Sequence, residues 1–165
     1  STVNRASKLL SEDLSKDQKI EELKLIAKDT VDIKGIGFYT LGSKRKTLND
    51  DQKSKYSELF EQYFLKSFSS RLAEYSNPEI NVYNKEKLNE NYTIVNSTLK
   101  ATNERPEIKI DWRIYTKIAD KPLIRDLIIE GLSLARTQKE EFNSVLQSNE
   151  GDIDALFKTL EEFVK

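Results

Sequence analysis

Hydrophobic and polar positions change rhythm twice along the chain. From Ser15, which has Gln18 three residues on in a capping-box pattern, Ile20, Leu23, Ile26 and Ala27 recur at intervals suited to a helix. A weaker helix is expected over residues 4–14, with Leu9, Leu10 and Leu14. Ile33, Ile36, Tyr39 and Leu41 predict a short helical piece that Gly42 ends. Asn49, with Gln52 three residues later, then caps a longer helix. Its apolar stripe runs through Tyr56, Leu59, Phe60, Tyr63, Phe64, Phe68, Leu72 and Tyr75, so six of the chain's aromatic residues lie on one face.

Past Pro78 the period falls to two. Ile80 and Val82, Tyr92 and Ile94, Ile108, Ile110, Trp112 and Ile114, and Leu127 and Ile129 alternate with polar residues and are expected to share one apolar face. Pro106 and Pro122 precede two of these runs, and the short polar links suit antiparallel hairpins. Two closing helices are expected. One carries Leu132, Leu134, Phe142, Val145 and Leu146; the other, after Gly151, carries Ile153, Leu156, Phe157, Leu160, Phe163 and Val164. Helices over 4–75, strands over 79–130 and helices over 132–164 make one α+β domain spanning residues 1–165, with helices gathered on the apolar face of a sheet.

Composition removes more chemistry than it suggests. The chain has no His and no Cys, which excludes a Ser-His-Asp triad, a thiol nucleophile and a His or Cys zinc site. Lys and Arg number 27 against 28 Asp and Glu, for a net charge of -1, so the basic excess of a nucleic-acid binder is missing. No apolar run approaches the roughly 18 residues of a membrane span.

Three features remain as candidate sites. The aromatic stripe reads either as the core side of a helix on a sheet or as the lining of a cavity for an apolar ligand; periodicity fits both. The run Lys44, Arg45, Lys46 reads as a solvated loop, or as a contact for an anionic headgroup or an acidic partner surface. Asp111, Arg113, Asp126 and Glu130 fall at strand positions where paired carboxylates could serve acid-base chemistry, but on alternating strands such residues more often face water. No reaction is indicated.

The residues resemble a known family. Val31-Asp32-Ile33 through Ile36 to Leu41-Gly42, followed by Asp51-Gln52 and Leu59-Phe60, is similar to the opening of the MlaC or toluene-tolerance family. Asp111-Trp112-Arg113-Ile114 resembles that family's D-Y-R-L strand, and Asp126 to Leu134, with its E-G-L-S-L core, resembles its D-V-V-I-E-G-V-S-L motif. Gln138, Glu141-Phe142, Gly151, Ile153 and Leu156 continue the likeness, which covers roughly residues 20–160. Gly42-Ser43-Lys44-Arg45 departs from it, standing where members often have G-x-Y-W.

The resemblance implies a curved four-stranded antiparallel sheet wrapped by helices, enclosing an apolar cavity for the tails of a phospholipid. It implies a periplasmic carrier, with a signal peptide expected upstream of Ser1. Lipid would pass between an outer-membrane lipoprotein-porin complex and an inner-membrane transporter with an MCE-type subunit. No cofactor and no catalysis are implied. On this reading Phe60, Phe64 and Phe68 from the long helix and Ile94, Ile108, Ile110, Trp112, Ile114, Leu127 and Ile129 from the sheet are the expected cavity walls, with Ile36 and Tyr39 at the mouth. The rivals are a small enzyme on a cone-shaped α+β scaffold, which needs a polar cluster at the cavity floor, and an interaction module with a solid core.

Overall fold

The computed structural model describes residues 8–9, 12–73, 79–118 and 120–165. Helix α1 (Lys16–Thr30) leads through Val31 into α2 (Ile33–Leu41), a 3-10 turn (Gly42–Thr47) and the long α3 (Asp50–Leu72). Strands β1 (Ile80–Lys87), β2 (Tyr92–Leu99), β3 (Ile108–Tyr115), β4 (Leu123–Ile129) and β5 (Leu132–Ser133) follow, then α4 (Leu134–Ser148) and α5 (Ile153–Val164). Leu10, Tyr75, Pro78 and the side chain of Leu72, all used above, lie outside the described residues.

Local chemistry sets the helix starts. Ser15 N–H donates to Gln18 Oε1 at 3.1 Å while Gln18 N–H donates to Ser15 Oγ at 3.2 Å. Asn49 and Gln52 repeat the reciprocal pair at 3.0 and 2.8 Å, so two donors left free by each helix are satisfied. Gly42, at φ 58°, ends α2 in the left-handed region.

The sheet is an antiparallel meander in the order β1-β2-β3-β4-β5, five strands where four were expected. The addition is the two-residue β5. Glu130 and Gly131, at φ 50° and 83°, form the tight turn that folds Leu132 back beside Ile129. Leu132 is therefore a strand residue, 68% exposed, and α4 begins only at Leu134 behind the cap Ser133.

Register assigns the faces. Val95 pairs with Trp112, Ser97 with Ile110 and Leu99 with Ile108; across the next ladder Ile110 pairs with Ile129, Trp112 with Leu127 and Ile114 with Ile124. These residues form the inner face, turned toward the helices. Ile94 pairs with Arg113, and Tyr92 with Tyr115, so both take the outer face, contrary to expectation. Strand β2 is apolar at both parities, so its alternation allowed either phase.

The main core lies among helices and the β4 side of the sheet. Helix α3 runs against α1, α2 and α5, while β4 meets α2 and α4. Phe60 is 2% exposed at the centre, ringed by Tyr56, Tyr63, Phe64 and Phe142 at centroid distances of 5.9 to 6.2 Å. Gln138 and Phe142, from the Q-x-x-E-F pattern, anchor α4 here, Gln138 accepting from the Tyr63 hydroxyl at 3.0 Å.

Tyr56 is fully buried, its hydroxyl 2.6 Å from Thr40 Oγ, which donates in turn to the Gly37 carbonyl at 2.5 Å. Burial pushes the Tyr56 phenol above its ordinary value of 10.0, against the opposing effect of the Thr40 bond. Because the folded value is the higher one, the stabilisation is complete below pH 10 and is lost as pH rises beyond it, by about 1.4 kcal/mol per unit. Urea midpoints measured across that range should fall steeply for the wild type and less steeply for Tyr56→Phe.

Candidate functional site

The inner face of the sheet is apolar and incompletely covered. Ile108, Ile110, Trp112 and Ile114 on β3, Leu127 and Ile129 on β4 and Val95 on β2 all project toward the helices, yet each is only half-buried. Trp112, Ile114 and Leu127 pack against the main core together with Phe64 and Phe68 from α3, whose rings stack 5.5 Å apart. Ile108, Ile110 and Ile129 extend the apolar surface past that contact.

Polar atoms on this face are tied to one another. Trp112 Nε1 donates to Ser97 Oγ at 2.9 Å, and Ser97 Oγ donates to the Ile110 carbonyl at 2.7 Å. Ser97 is fully buried, so a small hydroxyl beneath the indole satisfies its N–H without interrupting the apolar surface.

The outer face is wet and charged. Asn84 donates to Asn96 at 3.0 Å, Asn96 donates to Asp111 at 2.8 Å, and Lys109 stands 4.0 Å from Asp111. Farther along, Arg125 donates to Asp32 Oδ2 at 2.8 Å and to the Tyr92 hydroxyl at 2.7 Å, its guanidinium lying 4.1 Å from the Tyr115 ring centroid. Asp32 also caps α2 by accepting from Gly35 N–H at 3.0 Å. Its own N–H donates to the Ile124 carbonyl at 2.9 Å, and Val31 bridges Ile124 in parallel, so the α1–α2 junction is fastened to β4.

The expected wall residues thus divide. Phe64, Phe68, Ile108, Ile110, Trp112, Ile114, Leu127 and Ile129 come together on or against the inner face. Phe60 instead lies inside the packed core, and Ile94 on the outer face. Ile36 is half-buried and packs on the core; Tyr39 is 41% exposed beside α4, with Lys139 Nζ 5.1 Å from its ring centroid. Val95, Ser97, Leu99 and Ile124 are inner-face residues that alternation did not identify. The pairing of Ser97 with Ile110 reveals the β2 residues, which nothing in β2 alone does, and the pairing of Ile124 with Ile114 reveals the fourth.

The acidic candidates have local work. Asp126 accepts from Leu127 N–H at 2.8 Å, from Ala135 N–H at 3.0 Å and from the Ser133 hydroxyl, fixing the start of α4. Glu130 accepts from Lys109 N–H at 2.6 Å at the tight turn. Neither these nor Asp111 reaches the inner face. Lys44, Arg45 and Lys46 occupy the 3-10 turn between α2 and α3. A separate hollow of about 490 Å³ outside α2 and α3, lined by Lys34, Phe38, Lys53, Glu58 and Glu61, is charged and open, unlike the inner face. Among the described residues no helix is long and apolar enough to cross a membrane.

The molecule is of the class in which an antiparallel sheet presents an apolar face that its helices only partly cover. The model of the MlaC protein family matches residues 1–162, and the chain belongs to that family. A solved structure of a phospholipid-binding protein from Ralstonia solanacearum, in complex with a phospholipid, has a TM-score of 0.81 to this fold. The two are 18% identical, over 99% of this chain and 92% of that one, so the likeness is one of fold. No curated protein matches the chain.

Proposed function

We propose that this protein is a periplasmic phospholipid carrier that shelters acyl chains against the inner face of its sheet. The half-buried row from Ile108 to Ile129 carries the reading. A solid core would bury these side chains fully, whereas a surface kept for a ligand leaves them short of partners. Membership of the MlaC family and the phospholipid in the Ralstonia structure support the choice of ligand.

The energetics fit a carrier. Two acyl chains of about sixteen carbons contain ~30 methylenes, and removing them from water is worth on the order of 25 kcal/mol. Water is therefore excluded as a resting place. A bilayer offers nearly the same gain, so net transfer depends on small differences set by docking partners. We assign these partners as an outer-membrane lipoprotein-porin complex and an inner-membrane MCE-type transporter subunit. The carboxylates support no rival enzyme reading, because each holds strand or helix geometry away from the apolar face.

Native mass spectrometry of the purified protein should show a phospholipid adduct, and stripped protein should regain it from vesicles. A protein that is always empty and takes up nothing would overturn the proposal.

A further inference from the structure

The inner face changes character at one margin. Among the described residues strand β1 pairs only with β2, and it is exposed along nearly all its length, whereas β4 at the other side meets α2 and α4. The apolar face is therefore closed at β4 and open toward β1. Register places Ile80 beside Leu99 and Val82 beside Ser97 on the inner face. A bulge then intervenes, after which Lys85 pairs with Val95 and Lys87 with Thr93.

Because paired residues share a face, both lysines stand on the apolar side of the sheet at its open margin. Every other strand charge takes the outer face: Glu86 pairs with Ile94, Lys109 with Thr98, Asp111 with Asn96 and Arg113 with both Ile94 and Asp126, while Arg125 binds Tyr92 there. Among the described strand residues the inner face thus carries two formal charges, both positive, on the open β1 margin, one and two rows beyond Val82 and the uncovered Ile110 and Ile129. Both lysines are exposed, and neither has an ion-pair partner among the described residues. In the same row as Lys85 lie Val95, Trp112 and Leu127, so a cation and an apolar surface succeed one another across the sheet.

We infer that Lys85 and Lys87 bind the phosphate of the lipid headgroup and bias loading toward lipids of net negative charge. The inference rests on the carrier reading above. A headgroup, and not a free phosphate, is the fitting anion, because the lysines adjoin an apolar surface that a free phosphate would not use. The sites are exposed, so two ion pairs should give a preference of about three- to tenfold, shrinking with added salt.

The test offers stripped protein vesicles containing equal amounts of phosphatidylglycerol and phosphatidylcholine with identical acyl chains, and reads the bound ratio by native mass spectrometry. Both lipids come from one surface, so general attraction of the protein to the vesicle cancels. Wild type should favour phosphatidylglycerol. K85Q/K87Q should load to a similar total with a ratio near unity, and K85E/K87E should favour phosphatidylcholine. Wild type and K85Q/K87Q loading both lipids in the same ratio would overturn this inference alone. The same holds if the variant merely self-associates, since the lysines would then guard an edge strand. Wild type that loads neither lipid would overturn the carrier reading and this inference with it.

Discussion

Truncating Phe60 to alanine is expected to lower the free energy of unfolding by about 3–5 kcal/mol, at the upper end for a single change in a packed core. The ring is 2% exposed and sits where α2, α3 and α4 meet. A β-carbon added at Gly37 would lie 2.7 Å from Phe60 Cδ1, so the absence of a side chain on α2 lets the ring seat directly on that helix. Collapse into the space left behind is restricted, because Tyr56, Tyr63 and Phe142 are held by their own contacts. At roughly 2–4 °C per kcal/mol for a chain of this size, Tm should drop on the order of 10 °C. Thermal and urea unfolding would check it. A loss under about 1 kcal/mol would mean that this part of the core is much looser than described.

Ile110→Glu should have the opposite profile, a large effect on loading with little on folding. Ile110 is half-buried between Ser97 and Ile129, so in the empty protein a carboxylate there keeps contact with water. Covering it with acyl chains would strip that water and leave the charge without a partner, at a cost of several kcal/mol. Lipid uptake from vesicles should fall at least about a hundredfold, while Tm and the circular dichroism spectrum stay near wild type. Ile110→Leu should load normally. Uptake by the folded Glu variant at the wild-type level would remove the inner face from the proposed mechanism.

How much of this was legible in the sequence depended on how local the deciding physics was. The caps at Ser15 and Asn49 are settled within three residues, and the helices they begin were predictable. Phe60 and Phe64 sit one turn apart on the same stripe, and periodicity cannot separate them. What buries Phe60 is a glycine on another helix. The phase of β2 was likewise undecided, since Tyr92 and Ile94 compete with Val95 and Leu99, and only pairing with β3 turns the second set inward. Strand β5 is shorter than any repeat. Its sole trace is Glu130-Gly131, a pair able to hold two successive left-handed residues. The apolar set on β3 was readable because polar residues there occupy one parity consistently; on β4 Arg125 and Asp126 are adjacent, and the irregularity there is what turns Ile124 inward together with Leu127 and Ile129.

If the inner face holds acyl chains as proposed, the bond from the Trp112 indole to Ser97 bears on which fatty acids it would accept. With that donor already engaged, the indole offers no free N–H with which to recognise a double bond in the hydrocarbon. Exchanging one tail for another of similar bulk would then change little in free energy. Such a carrier would keep pace with a cell that remodels its fatty-acid composition as temperature changes.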